Sequence, residues 1–140
     1  GGSCLCFAPF WNFAGRANIS PPLGLFTFTG LYEEGYFPTD PVSDPATYSG
    51  SFTYYRTLEL VFKGASGDRL ALEASWSSTS APSTTLADGG TVGGTWTVDE
   101  EDSTGRYSRF TGSGTYTLSG NVQGTYESFS LTLSGSLTFN

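Results

Sequence analysis

Phe129-Ser130-Leu131-Thr132-Leu133-Ser134-Gly135-Ser136-Leu137-Thr138-Phe139 alternates apolar and small or hydroxyl side chains without a break. A β-strand sends successive side chains to opposite faces, so this stretch is a strand with one greasy face and one Ser/Thr face. The same two-residue period returns upstream in Leu58/Leu60/Phe62, Leu70/Leu72/Ala74/Trp76, Val92/Gly94/Trp96/Val98 and Gly114/Tyr116/Leu118/Gly120. Two-sided strands that recur in this way must share one interior. No window sustains helical periodicity over three turns. The pattern predicts an all-β chain of about eight antiparallel strands, closed as a barrel or packed as a β-sandwich.

The chain has 140 residues, enough for one domain with a real core. Aromatic residues make up 16% and charged residues only 14%, so solubility rests on the hydroxyl faces and a net charge of −7. The cations are Lys63 and five scattered arginines, with no basic stripe. That balance excludes nucleic acid and anionic membrane surfaces as partners. Histidine is absent, which removes the commonest general base and the commonest metal ligand together. No phosphate-cradling glycine loop opens a helix and no Cys/His set has metal-ligand spacing, so neither a metal nor another cofactor is expected. The run Asp99-Glu100-Glu101-Asp102 lacks the spacing of a calcium loop and reads as a solvated turn. No apolar run reaches the length of a membrane span. Abundant Gly, Ser and Thr beside a single lysine point to a secreted or surface-exposed protein.

Residues 1–14 are expected to form an N-terminal arm, and residues 15–140 a single β domain. The arm holds the most apolar stretch of the chain, Cys4-Leu5-Cys6-Phe7-Ala8-Pro9-Phe10-Trp11-Asn12-Phe13-Ala14, which carries no charge. Left in water such a segment would aggregate, so residues 4–14 are read as the remnant of a signal region, as a first strand buried in the domain, or as an arm that docks on a second copy. Cys4 and Cys6 are too close in sequence for a comfortable strand disulfide with each other, and a free, an interchain and a lipidated state all remain open. Arg16–Ile19 and Leu23–Thr29 are expected to be strands, and Leu31–Tyr48, punctuated by Pro38, Pro41 and Pro45, a long loop. Ser51–Phe62 and Arg69–Ser77 make a hairpin turning at Gly67-Asp68. Val92–Val98 and the final hairpin of Gly112–Gly120 with Thr125–Phe139 complete the set.

The stretch Ser103-Thr104-Gly105-Arg106-Tyr107-Ser108-Arg109-Phe110-Thr111-Gly112-Ser113-Gly114-Thr115 resembles the TGRF-x-G-x-TGSGT segment of allene oxide cyclase-like and dirigent-like barrels. Leu23-Gly24-Leu25-Phe26-Thr27, Ser66-Gly67-Asp68-Arg69-Leu70 and Gly94-Thr95-Trp96-Thr97-Val98 fall where bacterial members of that group carry similar signals. The likeness spans about residues 15–139. It implies an eight-stranded calycin-like barrel with an apolar central cavity, often dimeric or trimeric, in a group that cyclises or stereochemically guides hydrophobic substrates. The residues themselves give Gly105, Gly112 and Gly114 a structural task, to let strands bend or bulge as a sheet curls.

Strand parity sorts the polar side chains. Glu59 and Glu73 oppose Leu58/Leu60 and Leu72/Trp76, so both should face water. Glu127 shares parity with Phe129 and Leu131, and Arg56 and Tyr54 share parity with Leu58 and Leu60, so all three should point inward. An inward carboxylate needs a partner, and Glu127 with Arg56 is the pair expected. Two functions of different class follow. One is a secreted barrel that binds a small hydrophobic molecule, a cofactor-free cyclase or isomerase if it is an enzyme. Glu127 would then be general acid/base, with Arg56 and Tyr54 stabilising developing charge. Tyr116, Trp76, Trp96, Leu72 and Phe129 would be the cavity wall. The other is an extracellular structural subunit that assembles into a homo-oligomer or filament through residues 4–14, as in donor-strand exchange.

Overall fold

The structure, a computed structural model, describes residues 5–19, 24–121 and 128–139. Seven strands lie in one antiparallel sheet in chain order: β1 (Phe10–Ile19), β2 (Gly24–Pro38), β3 (Phe52–Lys63), β4 (Arg69–Ser78), β5 (Val92–Val98), β6 (Phe110–Asn121) and β7 (Ser128–Phe139). Two short 3-10 turns, Pro45–Thr47 and Gly105–Tyr107, are the helical content among the described residues. No described helix is long and apolar enough to cross a membrane. The sheet curls into a half-barrel around its apolar face. It is one sheet, so the sandwich alternative does not hold, and seven strands are described where eight were expected.

Alternation places the core where the sequence put it. Leu58, Leu60 and Phe62 on β3 stand opposite Ala74, Leu72 and Leu70 on β4, and all six are buried. β2 adds Tyr32 beside Leu58 and Phe28 beside Phe62. Opposite-face residues such as Glu59, Glu73, Thr115, Thr117, Ser130, Thr132, Ser134 and Ser136 are exposed. The curl needs glycine at the joint of β6 and β7. Gly114 and Gly135 face one another across the ladder, and the Trp96 ring lies over the pair. A Cβ at Gly114 would stand 2.7 Å from that ring and one at Gly135 2.8 Å, and Gly135 has φ +155°.

The front of the chain departs from expectation. β2 does not end at Thr29 but runs to Pro38, because the alternation continues inward through Tyr32 and Glu34 and the first proline comes only at Pro38. Half of the expected loop is therefore strand. β1 begins at Phe10, so the boundary drawn between residues 14 and 15 falls inside a strand. Residues before β1 are also laid against β2: Phe7 bridges Tyr36 through two backbone hydrogen bonds of 3.1 and 2.8 Å, and Glu34 N–H donates to Pro9 O at 3.1 Å. Cys6 is disulfide-bonded, so the free and lipidated states do not apply to it; Cys4 lies outside the described residues.

One end of the half-barrel is stoppered by residues 79–91. β4 and β5 pair only at Leu72–Val98 and Glu73–Thr97, so beyond Glu73 the two strands splay and the connection folds between them. Leu86, fully buried, enters the core there. The buried Glu34 carboxylate holds it in place, accepting from Tyr32 Oη at 2.8 Å, Leu86 N at 2.8 Å and Ala87 N at 3.2 Å. Arg56 holds the same segment from another side, donating to Thr84 O, and reaches β5 by donating to Gly93 O, at 3.3 Å each. On the other side of the splay, Ser103 Oγ and Thr104 Oγ1 accept from Ala71 N and Arg69 N, 3.0 Å each, and replace the missing ladder. Gly105, at φ +59°, approaches Asp68 so closely that a Cβ would stand 2.1 Å from the carboxylate. The stretch that carries the family likeness is thus a structural joint.

A carboxylate with three donors in a dry site is expensive to remove, because the donors lose their acceptor together. We expect Glu34→Ala to cost about 3 kcal/mol in urea denaturation, and Leu86→Ala about the same through the cavity it leaves. The double variant should cost clearly less than the sum, since each releases the same segment.

Candidate functional site

With seven antiparallel strands, the first and last run in the same direction. β1 and β7 form no backbone ladder with each other, and among the described residues each keeps one unpaired edge. Side chains alone span the gap: Phe13 stacks on Phe129 with ring centroids 5.3 Å apart. Gly30 makes this reach possible, since a Cβ there would lie 2.4 Å from the Phe13 ring. Between the two edges runs an open trough of about 1440 Å³. Its floor is apolar, with Phe28, Phe62, Leu70, Leu72, Trp96 and Phe110 contributed by five successive strands. Its rims take consecutive residues of both edges, Asn12 to Ala17 and Ser128 to Leu131, so backbone as well as side chain faces the space. Phe13, Phe129, Leu131, Leu133 and Leu137 are only partly buried, because nothing of this chain covers them among the described residues. Among the described residues Arg16 is the one charged residue in the lining.

A second, smaller hollow of about 250 Å³ lies at the stoppered end, bordered by Phe7, Glu34, Tyr36, Tyr54, Arg56 and Asp88. The Arg56 guanidinium sits 4.8 Å from the centre of the Trp76 ring. Burial, then the hydrogen bond to Glu34 and its negative charge, raises the Tyr32 hydroxyl well above the ordinary tyrosine range. Burial and the 2.7 Å hydrogen bond to Glu33 push Tyr55 up to about 12. Burial also raises Tyr116. Raised tyrosines donate hydrogen bonds and do not serve as bases near neutrality. Tyr32 and Tyr55 thereby fix the carboxylates of Glu34 and Glu33.

The expected site residues divide between these places. Leu72, Trp96 and Phe129 line the trough. Arg56 and Tyr54 border the small hollow, and Trp76, 37% exposed, lies beside Arg56 and lines neither space. Tyr116 is buried in the core next to Leu118, and Glu127 lies outside the described residues. The aligned set of acid/base, stabilising cation and apolar wall is therefore not brought together among the described residues. Sequence reading passed over Phe13, Phe28 and Phe110 as trough wall and Glu34 as the buried carboxylate. Parity would have found Glu34 had β2 been continued past Thr29. Among the described residues no group of three His, Cys, Asp or Glu side chains is placed to hold a metal ion. No protein-family model, no curated protein and no solved structure matches the chain.

Away from the trough, the outer face concentrates negative charge. Glu59 and Glu73 are cross-strand partners, and Asp99, Glu101 and Asp102 lie close by. Partial shielding from water, then Asp99, Asp102, Glu101 and Glu59 in that order, raises the Glu73 carboxyl above the usual carboxylate range. Stability at this residue is fully present below its unfolded pKa and is lost as pH rises through the raised folded value. We expect Glu73→Gln to raise the melting temperature at neutral pH and to give no gain at pH about 4. Thermal scans across that range check both halves.

Proposed function

We propose that this protein is an extracellular structural subunit that assembles with copies of itself by taking an extended strand of a neighbour into its open half-barrel. The supporting observation is the trough between two unpaired, like-directed strand edges. A strand running opposite to β1 and β7 would pair antiparallel with both and complete an eight-stranded barrel, the size whose interior side chains can just fill. Alternate residues of such a strand would cover Phe13, Phe129, Leu131 and Leu133, and its N–H and C=O groups would satisfy both edges. Direct closure of β1 on β7 would instead force one parallel pair into an antiparallel sheet. The neutral hydroxyl face of β6 and β7 suits a subunit that repeats at close range without charge repulsion.

A second reading is favoured by the apolar floor: a small hydrophobic molecule, bound or rearranged inside the trough. The two readings differ in what they leave unpaired. A small molecule covers the aromatic floor but offers no backbone groups to the edges. The trough also exceeds the 300–1,000 Å³ usual for small-molecule sites.

Light scattering of the purified protein against concentration separates them. The assembly reading expects particle mass to rise in multiples of the 14.9 kDa chain. Leu133→Arg, which sets a charge on the trough floor, should hold the protein at one chain while circular dichroism keeps its β signature. A folded Leu133→Arg protein that assembles as the parent does would overturn this reading. A parent chain monomeric at every concentration, which takes up an apolar fluorophore that Leu133→Arg excludes, would establish the small-molecule reading in its place.

A further inference from the structure

Building on that assembly reading, we infer that the strand donated to the trough is the segment just before β1, centred on Leu5 to Pro9, and that its contact with β2 is a parked state competing with donation. Elimination among the described segments outside the sheet supports this choice. Residues 39–51 contain Asp40, Asp44, Pro41 and Pro45. Residues 79–91 are fastened by Glu34 and Arg56 with Leu86 buried. Residues 99–109 are acidic and tied to Arg69 and Ala71. Among these segments only residues 5–9 carry no charge, and Cys6, Phe7 and Ala8 in it are exposed.

The chemistry of this segment matches the trough. Leu5 and Phe7 share one parity, so in an extended conformation they project to the same side as paired apolar knobs. The flanking positions are the disulfide-bonded Cys6 and the small Ala8, which would form the outward face. No charge would be desolvated on residues 5–9, and among the described residues Arg16 alone is charged in the receiving wall. Pro9 stands where the segment would leave its own sheet, a position that makes no demand for a ladder donor.

Parking on β2 is exacting in shape. It includes the two Phe7–Tyr36 hydrogen bonds, the Pro9–Glu34 bond and a stacked contact of the Phe7 and Tyr36 rings at 5.8 Å. Phe7 nevertheless remains 48% exposed and Phe10 60%. The parked backbone passes directly over Gly35, where a Cβ would stand 1.8 Å from the Phe7 carbonyl oxygen. A side chain at residue 35 would therefore evict the segment without touching the trough. Donation from one copy into the next uses two different surfaces, so it is head-to-tail and propagates as a filament unless the geometry closes a ring.

Two kinds of variant test this in the full chain. Phe7→Asp damages the donor and leaves the trough intact, while Leu133→Arg does the reverse. Each alone should stay monomeric, and an equimolar mixture should give pairs of two chains and nothing larger, because one good donor meets one good trough. Gly35→Ala should lower the concentration for half-assembly about tenfold, by raising the fraction of chains with a free donor. If Phe7→Asp assembles like the parent while Leu133→Arg does not, the trough is an acceptor but its occupant is another segment, and this inference is overturned while the assembly reading stands. A mixture that remains monomeric overturns it as well. The mixing experiment decides the matter even if Gly35→Ala weakens the fold.

Discussion

An odd number of antiparallel strands leaves the first and last running the same way, and the functional architecture depends on that constraint. Hydrogen-bond geometry lets β1 through β7 form six antiparallel ladders in chain order. It then leaves two edges that cannot join without a parallel pair or one more strand. The sheet curls because its apolar face must be covered. The curl brings the edges near enough for Phe13 to stack on Phe129 but does not close them. The result is a trough whose walls are apolar side chains and whose rims are backbone.

The opposite end is closed by polar chemistry instead. Where β4 and β5 part, the connection between them would expose its backbone to a dry interior, and buried backbone groups need partners. Glu34 and Arg56 supply them, the first accepting from two backbone N–H groups and the second donating to Thr84 O, while Arg56 also donates to Gly93 O on β5. Inward charged residues in a small barrel suggest catalysis at first sight. These two are spent on holding residues 79–91 in place, and Leu86 completes the core above them. The half-barrel is consequently closed by this segment at one end and open along the side where β1 and β7 do not meet.

Small residues set how closely the large aromatic side chains pack. Trp96 lies over the Gly114–Gly135 pair, Phe13 over Gly30, and the backbone at Phe7 over Gly35. In each case a strand glycine, ordinarily unfavourable for lack of a packing side chain, is repaid by the ring or backbone that occupies its space. These contacts shape the floor of the trough, the gap between its rims and the line along which the residues before β1 cross β2.

Period-two alternation in the sequence determined which face of each strand is wet. Leu58, Leu60, Phe62, Leu70, Leu72, Trp96 and Leu118 are buried as their parity requires, and Glu59 and Glu73 are exposed. Alternation also located β3, β4 and β5 to within a residue or so, because turn residues bound them clearly. It did not reveal that Glu34 continues β2, since a carboxylate in an inward position looks like the end of a strand until its three donors are known. Parity assigns a side chain to a face but not to a height along the barrel. For that reason Arg56 and Tyr54 could not be separated in advance from Leu72, Trp96 and Phe129. Whether β1 meets β7 was likewise beyond the sequence, because closure depends on strand number, tilt and curl summed over the whole sheet. Local residue chemistry gave the strands and their faces. Only the tertiary arrangement decided that the sheet stays open, because the geometry of joining its two edges belongs to no single stretch of chain.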